Sequence, residues 1–250
     1  MHDKKPVYLF IVCPNNSGST LLAKLLATSV NVSTFPSYNH EGQWVVRDSG
    51  TAAMPFPIGD EKRNWTIAPD KFSDTRCYCW ETLKEVWHRA WDMDKPVLLE
   101  KSPSLVISAS LFQEQFKDAY FILSVRNPYA FCEGVRRREG YRLEVAAKHW
   151  QICCDYQLQN LNVLKKQCFL RYEELCNNPA GMADRLGRFL PYLADIDPSR
   201  VFDVMSLKTV IANQNEAQIG RLSLDDIREI NAILDRQPLL LDTFCYDRIS

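Results

Sequence analysis

The chain alternates short, unbroken apolar runs with longer stretches whose apolar residues recur at helical spacing. Val7 to Val12 is a continuous apolar run, the pattern of a strand covered on both faces, and Leu21, Leu22, Leu25 and Leu26 behind it fall on one helical stripe. Strand, loop and helix follow one another directly. Pro96 to Leu99, Ala119 to Val125 and Cys168 to Tyr172 predict three further strands, separated by helical stretches such as Tyr141 to Leu164. This alternation predicts an α/β fold in which a central, mostly parallel β-sheet is flanked by helices. Near the end, Ser223 and Asp226 form a capping-box pattern, Leu224, Ile227, Ile230 and Leu234 a stripe, and Pro238 a stop. The sequence shows no internal repeat and no low-complexity linker.

Residues 35–95 break the pattern. They hold Pro36, Pro55, Pro57 and Pro69, three of the nine glycines and five of the six tryptophans. Too irregular for a plain crossover, the segment is expected to form a cap above the carboxyl ends of the strands, where open α/β sheets bind ligands. Trp87 and Trp91, four apart on a helix, are expected to complete the core. Phe35, Tyr38, Trp44 and Trp65, near Glu41 and Asp48, are candidates for a partly apolar acceptor pocket with acidic groups.

Composition narrows the class. At 250 residues the chain suits one α/β domain over 1–250, and 30 Lys+Arg against 31 Asp+Glu give a net charge of -1. That balance excludes a protein built to hold bulk nucleic acid, while leaving room for a local basic pocket. The apolar run after Lys5 is too short for a membrane span and lacks a small-residue cleavage site, so neither leader nor anchor is expected. The nine cysteines are odd in number and without CxxC spacing. They read as free thiols in a reducing, cytoplasmic setting, where the sequons at Asn31 and Asn64 go unused.

The loop from Pro14 to Thr20, Pro-Asn-Asn-Ser-Gly-Ser-Thr, joins the first strand to its helix. Gly18 permits close backbone approach, the amides after it open a helix N-terminus, and Ser17, Ser19 and Thr20 add hydroxyls, which together make an anion cradle. It lacks the lysine of a Walker A loop. Glu100-Lys-Ser-Pro103 follows the second predicted strand, Arg126-Asn-Pro128 the third and Tyr172-Glu-Glu-Leu175 the fourth, all at one edge of the sheet.

In this ordered set of four motifs the chain resembles the sulfotransferases that use 3′-phosphoadenosine 5′-phosphosulfate (PAPS), in the bacterial and Golgi-type branch with a Ser-Gly-Ser-Thr-Leu-Leu loop. The resemblance runs from Val7 to about Tyr246 and is weak over residues 45–95. It implies a P-loop-like fold and sulfuryl transfer, without a metal, from PAPS to a hydroxyl or amine of a small molecule, leaving the desulfated nucleotide PAP. Asn16, Ser17, Gly18, Ser19 and Thr20 then match the phosphosulfate loop, Arg126 the arginine of the 3′-phosphate, and Lys101 a lysine near the transferring group. Tyr172 begins the element after the fourth strand, and Arg221 lies in a late loop that closes over the nucleotide.

Two positions depart from the family pattern. Asn16 stands where Lys or Arg is usual, and Gly134 where a serine usually meets the 3′-phosphate. Lys101 or Lys24 is a candidate replacement for the first, and the charges of Arg136, Arg137 and Arg138 for the second, against the alternative of a solvated helix face paired with Glu133 and Glu139. Transfer also needs a base for the acceptor. Glu41 is the candidate, with His40 as its rival, while His88 and His149 lie in helical stretches and read as structural. A catalytically impaired nucleotide-binding relative and a P-loop kinase-like enzyme are the alternatives, the first favoured by the two departures and the second opposed by the absent Walker lysine.

Overall fold

A computed structural model describes residues 5–36, 38–56, 66, 68–204 and 207–250. At its centre β1 (Val7–Val12) pairs in parallel with β3 (Val97–Glu100) on one side and β4 (Ala119–Val125) on the other. The edge strands β2 (Val32–Thr34) and β5 (Gln167–Arg171) complete an all-parallel sheet of order β2-β3-β1-β4-β5. The β1 run is apolar without interruption because both of its faces are covered. Leu9, Ile11 and Cys13 enter one core, and Phe10 and Val12 the other.

The helices are, in order, α1 (Ser19–Leu26), α2 (Gly42–Asp48), α3 (Pro69–Ser73), α4 (Trp80–Ala90), α5 (Leu105–Gln115), α6 (Pro128–Glu139) and α7 (Leu143–Val163). They continue with α8 (Tyr172–Asn177), α9 (Pro179–Phe189), α10 (Asn215–Ile219), α11 (Leu224–Leu234) and α12 (Leu239–Thr243). Leucines of α1 pack with Met182 and Leu186 of α9 on one face of the sheet, and α4, α5 and Cys153 of α7 cover the other. Trp87 and Trp91 are buried in that second core. Ser223 and Asp226 close the expected capping box at the start of α11.

Two elements were not foreseen: edge strand β2, and a separate antiparallel pair, β6 (Phe202–Val204) with β7 (Leu207–Thr209). Each strand has three residues, too few for a period to show. Within the 35–95 segment lie α2, α3 and α4, the last carrying Trp87 on the expected helix.

Chain direction across the sheet reverses at β1, because β2 and β3 lie to one side and β4 and β5 to the other. At such a switch point neighbouring strand ends part and leave a crevice. Here the buried amide of Gln157, from α7, bridges the gap by donating to the carbonyls of Val12 at 2.8 Å and Ser124 at 2.9 Å. Among the described residues no helix is long and apolar enough to cross a membrane, and none of the nine cysteines is in a disulfide.

Candidate active site

The loop leaving β1 turns through two left-handed residues, Asn16 at φ 59° and Gly18 at φ 88°. Asparagine tolerates this conformation and glycine adopts it freely. A Cβ on Gly18 would also stand 2.6 Å from the Tyr172 ring. Gly18 caps α1 without a side chain, so the first amides of the helix keep no partner within it. Beside them the Ser17 hydroxyl is buried with no hydrogen-bond partner. Gly18→Ala is expected to lower the melting temperature and abolish anion binding at the loop, because strain of about 1–3 kcal/mol adds to the clash; a variant with normal nucleotide affinity by calorimetry would contradict this.

Arg126 ends the turn from β4, and the motif around it is a helix start. The Asn127 side chain accepts from the amides of Tyr129 and Ala130, and Pro128 takes the first helical position of α6. Trp150 fixes the turn by donating to the Arg126 carbonyl at 2.9 Å. The buried guanidinium donates to Asn215 Oδ1 (2.9 Å), Gln218 Oε1 (2.8 Å) and the Asn16 carbonyl (3.0 Å), and lies 4.1 Å over the Tyr172 ring. Among the described residues it has no carboxylate partner at ion-pair distance. The groups it bonds are neutral acceptors, and burial pulls its pKa down from the usual arginine value against the opposing pull of Tyr172 and Glu173. A buried cation so held is poised for an anion.

Glu173 orients this assembly from behind, accepting from Asn215 Nδ2 (2.5 Å), the Asn127 amide (2.9 Å) and the Tyr246 hydroxyl (2.9 Å). Asn215 and Gln218 are the residues that sequence reasoning missed. They are ordinary amides on the five-residue helix α10, and nothing local marks them.

The three consecutive arginines part company, because a helix turns about 100° per residue. Arg136 forms a two-pronged pair with Asp226, Arg137 bonds Glu133, and Arg138 reaches the loop, with NH1 3.2 Å from Asn16 Oδ1. Asn16 Nδ2 in turn donates to Glu139 at 2.7 Å. Gly134 is buried in α6, where an added Cβ would only touch the Gln218 amide at 4.0 Å. Arg221 pairs with Glu133 at 3.4 Å, and the second oxygen of Glu133 is buried without a partner.

At the end of β3 the chain brings a carboxylate and a cation together. Lys101 and Glu41 form a buried ion pair of 2.7 Å, with side-chain exposures of 2% and 9%. Lys101 also approaches Thr20 Oγ1 at 3.3 Å, on the first turn of α1. The other Glu41 oxygen accepts from Gln43 Nε2 at 2.6 Å and Trp44 Nε1 at 2.8 Å. His40 stands apart from this pair. Its Nδ1 bonds the Phe35 carbonyl at 3.0 Å, and burial leads Lys24 and Lys101 in pushing its pKa below the usual value.

Among the acceptor candidates, Trp44 is a half-buried wall beside Glu41, edge-on to Phe56 and beneath Arg47 at 4.3 Å. Phe35 lines no opening. It is wholly buried and stacked on Trp91 at 4.5 Å, so it is a core residue. Asp48 is engaged by Arg47 at 2.6 Å, which reduces the acidic character expected of this region. Trp65 and the Tyr38 side chain lie outside the described residues. His88 bonds Tyr8, whereas His149 reaches the cradle's rear, with Nε2 2.8 Å from Asn15 Oδ1.

Comparison with known proteins agrees with this architecture. The family model described as "Sulfotransferase family" matches residues 6–192. No curated protein sequence matches the chain. The sulfotransferase domain from the curacin biosynthetic pathway is similar over 99% of this chain and 100% of its own, with 18% identity and a TM-score of 0.56. The sulfotransferase domain of the Synechococcus PCC 7002 olefin synthase gives 17% identity, a TM-score of 0.56 and coverage of 99% and 98%. Sulfotransferase STF9 from Mycobacterium avium gives 14% identity, the same TM-score and coverage of 98% and 78%. The fold is thus that of sulfotransferase structures, and the chain belongs to the sulfotransferase family.

Proposed function

We propose that the protein transfers a sulfuryl group from PAPS to a hydroxyl or amine of a small-molecule acceptor. The observation that carries this reading is the buried Lys101–Glu41 pair set against Thr20 at the mouth of the cradle. Sulfuryl transfer, like phosphoryl transfer, needs in-line positioning, cations on the oxygens that gain charge, and a base for the acceptor proton. The cradle residues fit the nucleotide. Ser17 offers a buried hydroxyl without a partner, Gly18 leaves no room for a side chain, and Arg126 is a buried cation whose direct hydrogen-bond partners are neutral.

When bound, PAPS supplies a sulfuryl group already activated by its bond to phosphate. Ser17, Thr20 and the first amides of α1 hold the phosphosulfate, Arg126 the 3′-phosphate, and Arg138 brings to Asn16 the charge that the loop itself lacks. Lys101 neutralises oxygens near Thr20. Glu41 takes the acceptor's proton, with Gln43 and Trp44 fixing its carboxylate. Trp44 supplies an aromatic wall for the acceptor.

Calorimetric titration with PAP is expected to show binding at micromolar concentration, and folded protein that fails to bind would overturn the reading. Glu41→Gln is expected to lower kcat by roughly 10²-fold or more, the usual worth of a positioned base, with PAP affinity kept. An unchanged rate would remove Glu41 from the role. Alcohols, phenols and amines offered with PAPS would identify the acceptor class, and hydrolysis of ATP with magnesium would point instead to a kinase-like enzyme.

A further inference from the structure

Glu100 belongs to neither the cradle nor the Lys101–Glu41 pair, yet it is a carboxyl with no solvent exposure. One oxygen accepts the Gly42 amide at 2.7 Å and the other the Ser102 amide at 2.8 Å. The next amide of α2, that of Gln43, donates to the Ser102 hydroxyl at 3.1 Å. Two of the amides that begin α2, which have no partner within the helix, are thus tied to the end of β3. The fit is tight. A Cβ on Gly42 would stand 2.6 Å from the Phe35 ring and 2.8 Å from both Glu100 Oε2 and Trp87, and the Trp87 indole donates to the Gly42 carbonyl at 3.1 Å. Glu41 immediately precedes Gly42, and Lys101 immediately follows Glu100. The clamp therefore lies one residue from each member of the ion pair.

We propose that Glu100 is a positioning residue for the transfer reaction: holding Gly42 with one oxygen and Ser102 with the other, it sets the Glu41 carboxylate against Lys101 at the cradle. The inference rests on the sulfotransferase reading above. It accounts for a costly arrangement, since a carboxylate buried among Phe35, Trp87 and Gly42 is stabilised by the Ser102 side chain and by backbone amides rather than by an ion pair among the described residues. The titratable groups facing the clamp are Glu41 on the α2 side and Lys101 on the β3 side, with His40 two residues before Gly42. Burial pushes the Glu100 carboxyl up to about 7, against the opposing bonds from Ser102 and Gly42. Ionised, it accepts from both amides. Protonated, one oxygen becomes a donor, and one amide loses its acceptor. The clamp is complete above that pH and loosened below it.

Glu100→Gln keeps the shape and one acceptor oxygen. It is expected to lower kcat by roughly 10²-fold, as small misplacements of reacting groups do, with PAP affinity held within about twofold. Amide hydrogen exchange at Gly42 and Gln43 is expected to speed up. The wild-type rate should fall as pH drops through about 7, and the variant should lack that limb. Unchanged kcat and exchange would overturn the proposal, as would an equal loss of kcat and PAP affinity with general melting. Should this variant not fold, Ser102→Ala decides the matter. It removes the Gln43 acceptor and the Ser102 hydroxyl's bond to Glu100 while leaving both carboxyl oxygens and both amides in place, and is expected to raise exchange at Gln43 and lower kcat without changing PAP affinity; the same measurements unchanged would again overturn the clamp. The exchange readout needs no nucleotide. A wild-type protein that binds no PAP would therefore refute the sulfotransferase reading, whereas normal exchange in the variants would refute the clamp.

Discussion

Lys101→Ala is expected to lose both turnover and stability. With the ammonium gone, Glu41 loses its buried 2.7 Å ion pair and keeps the donors of Gln43 and Trp44. Breaking a buried pair from one side costs about 3–5 kcal/mol, and the donors of Gln43 and Trp44 place this case near the lower end. Turnover should fall by roughly 10²-fold or more, the scale of removing one preorganised electrostatic group. The double variant Lys101→Ala with Glu41→Gln separates the two effects. Removing both charges should recover part of the melting temperature and none of the rate, since the stability loss comes from breaking one side of the pair and the rate loss from missing chemistry. Normal kcat in the single variant would exclude Lys101 from the reaction.

Arg126→Ala should act on the nucleotide. A charge-assisted hydrogen bond is worth about 1.5–3 kcal/mol, so PAP affinity should fall by roughly 10-fold to 150-fold. The diagnostic quantity is the ratio of affinities for PAP and for adenosine 5′-phosphate, which lacks the 3′-phosphate. In wild type that ratio should be large, and in the variant it should collapse toward one. A variant that binds both more weakly by the same factor would show that Arg126 only supports Asn16, Asn215 and Gln218. Arg126→Lys should recover little, because a single ammonium cannot span three acceptors and also lie flat on Tyr172.

Much of the fold was legible because its signals are continuous. The β1 run, the α1 stripe and the Arg126-Asn127-Pro128 turn each carry their physics in adjacent residues. Strands β2, β6 and β7 were not legible, being three residues each. In the candidate site, residues at strand ends could be gathered from the alternation alone, which is how Lys101 and Arg126 come to the same edge as the loop. Their partners could not. Asn215 and Gln218 lie about 90 residues beyond Arg126, and only the tertiary fold brings them back. Phe35 was misread because an aromatic in a proline-rich stretch does not reveal which way it faces. The arginine triplet concealed three different partners behind one run of charge.

The segment carrying Glu41 and Trp44 leaves the sheet from β2 and rejoins it at β3, and these strands are neighbours, with Val32 opposite Val97. It is a single excursion that begins and ends at one place, while the cradle and Arg126 hang from β1 and β4. On the proposed reading, exchanging the part of that excursion around α2 while keeping α4, whose Trp87 shares a core with Phe10 of β1, would change the acceptors served without disturbing the loop after β1. The graft would have to meet one condition at its point of contact: a glycine able to lie flat on Glu100, with a carboxylate directly before it.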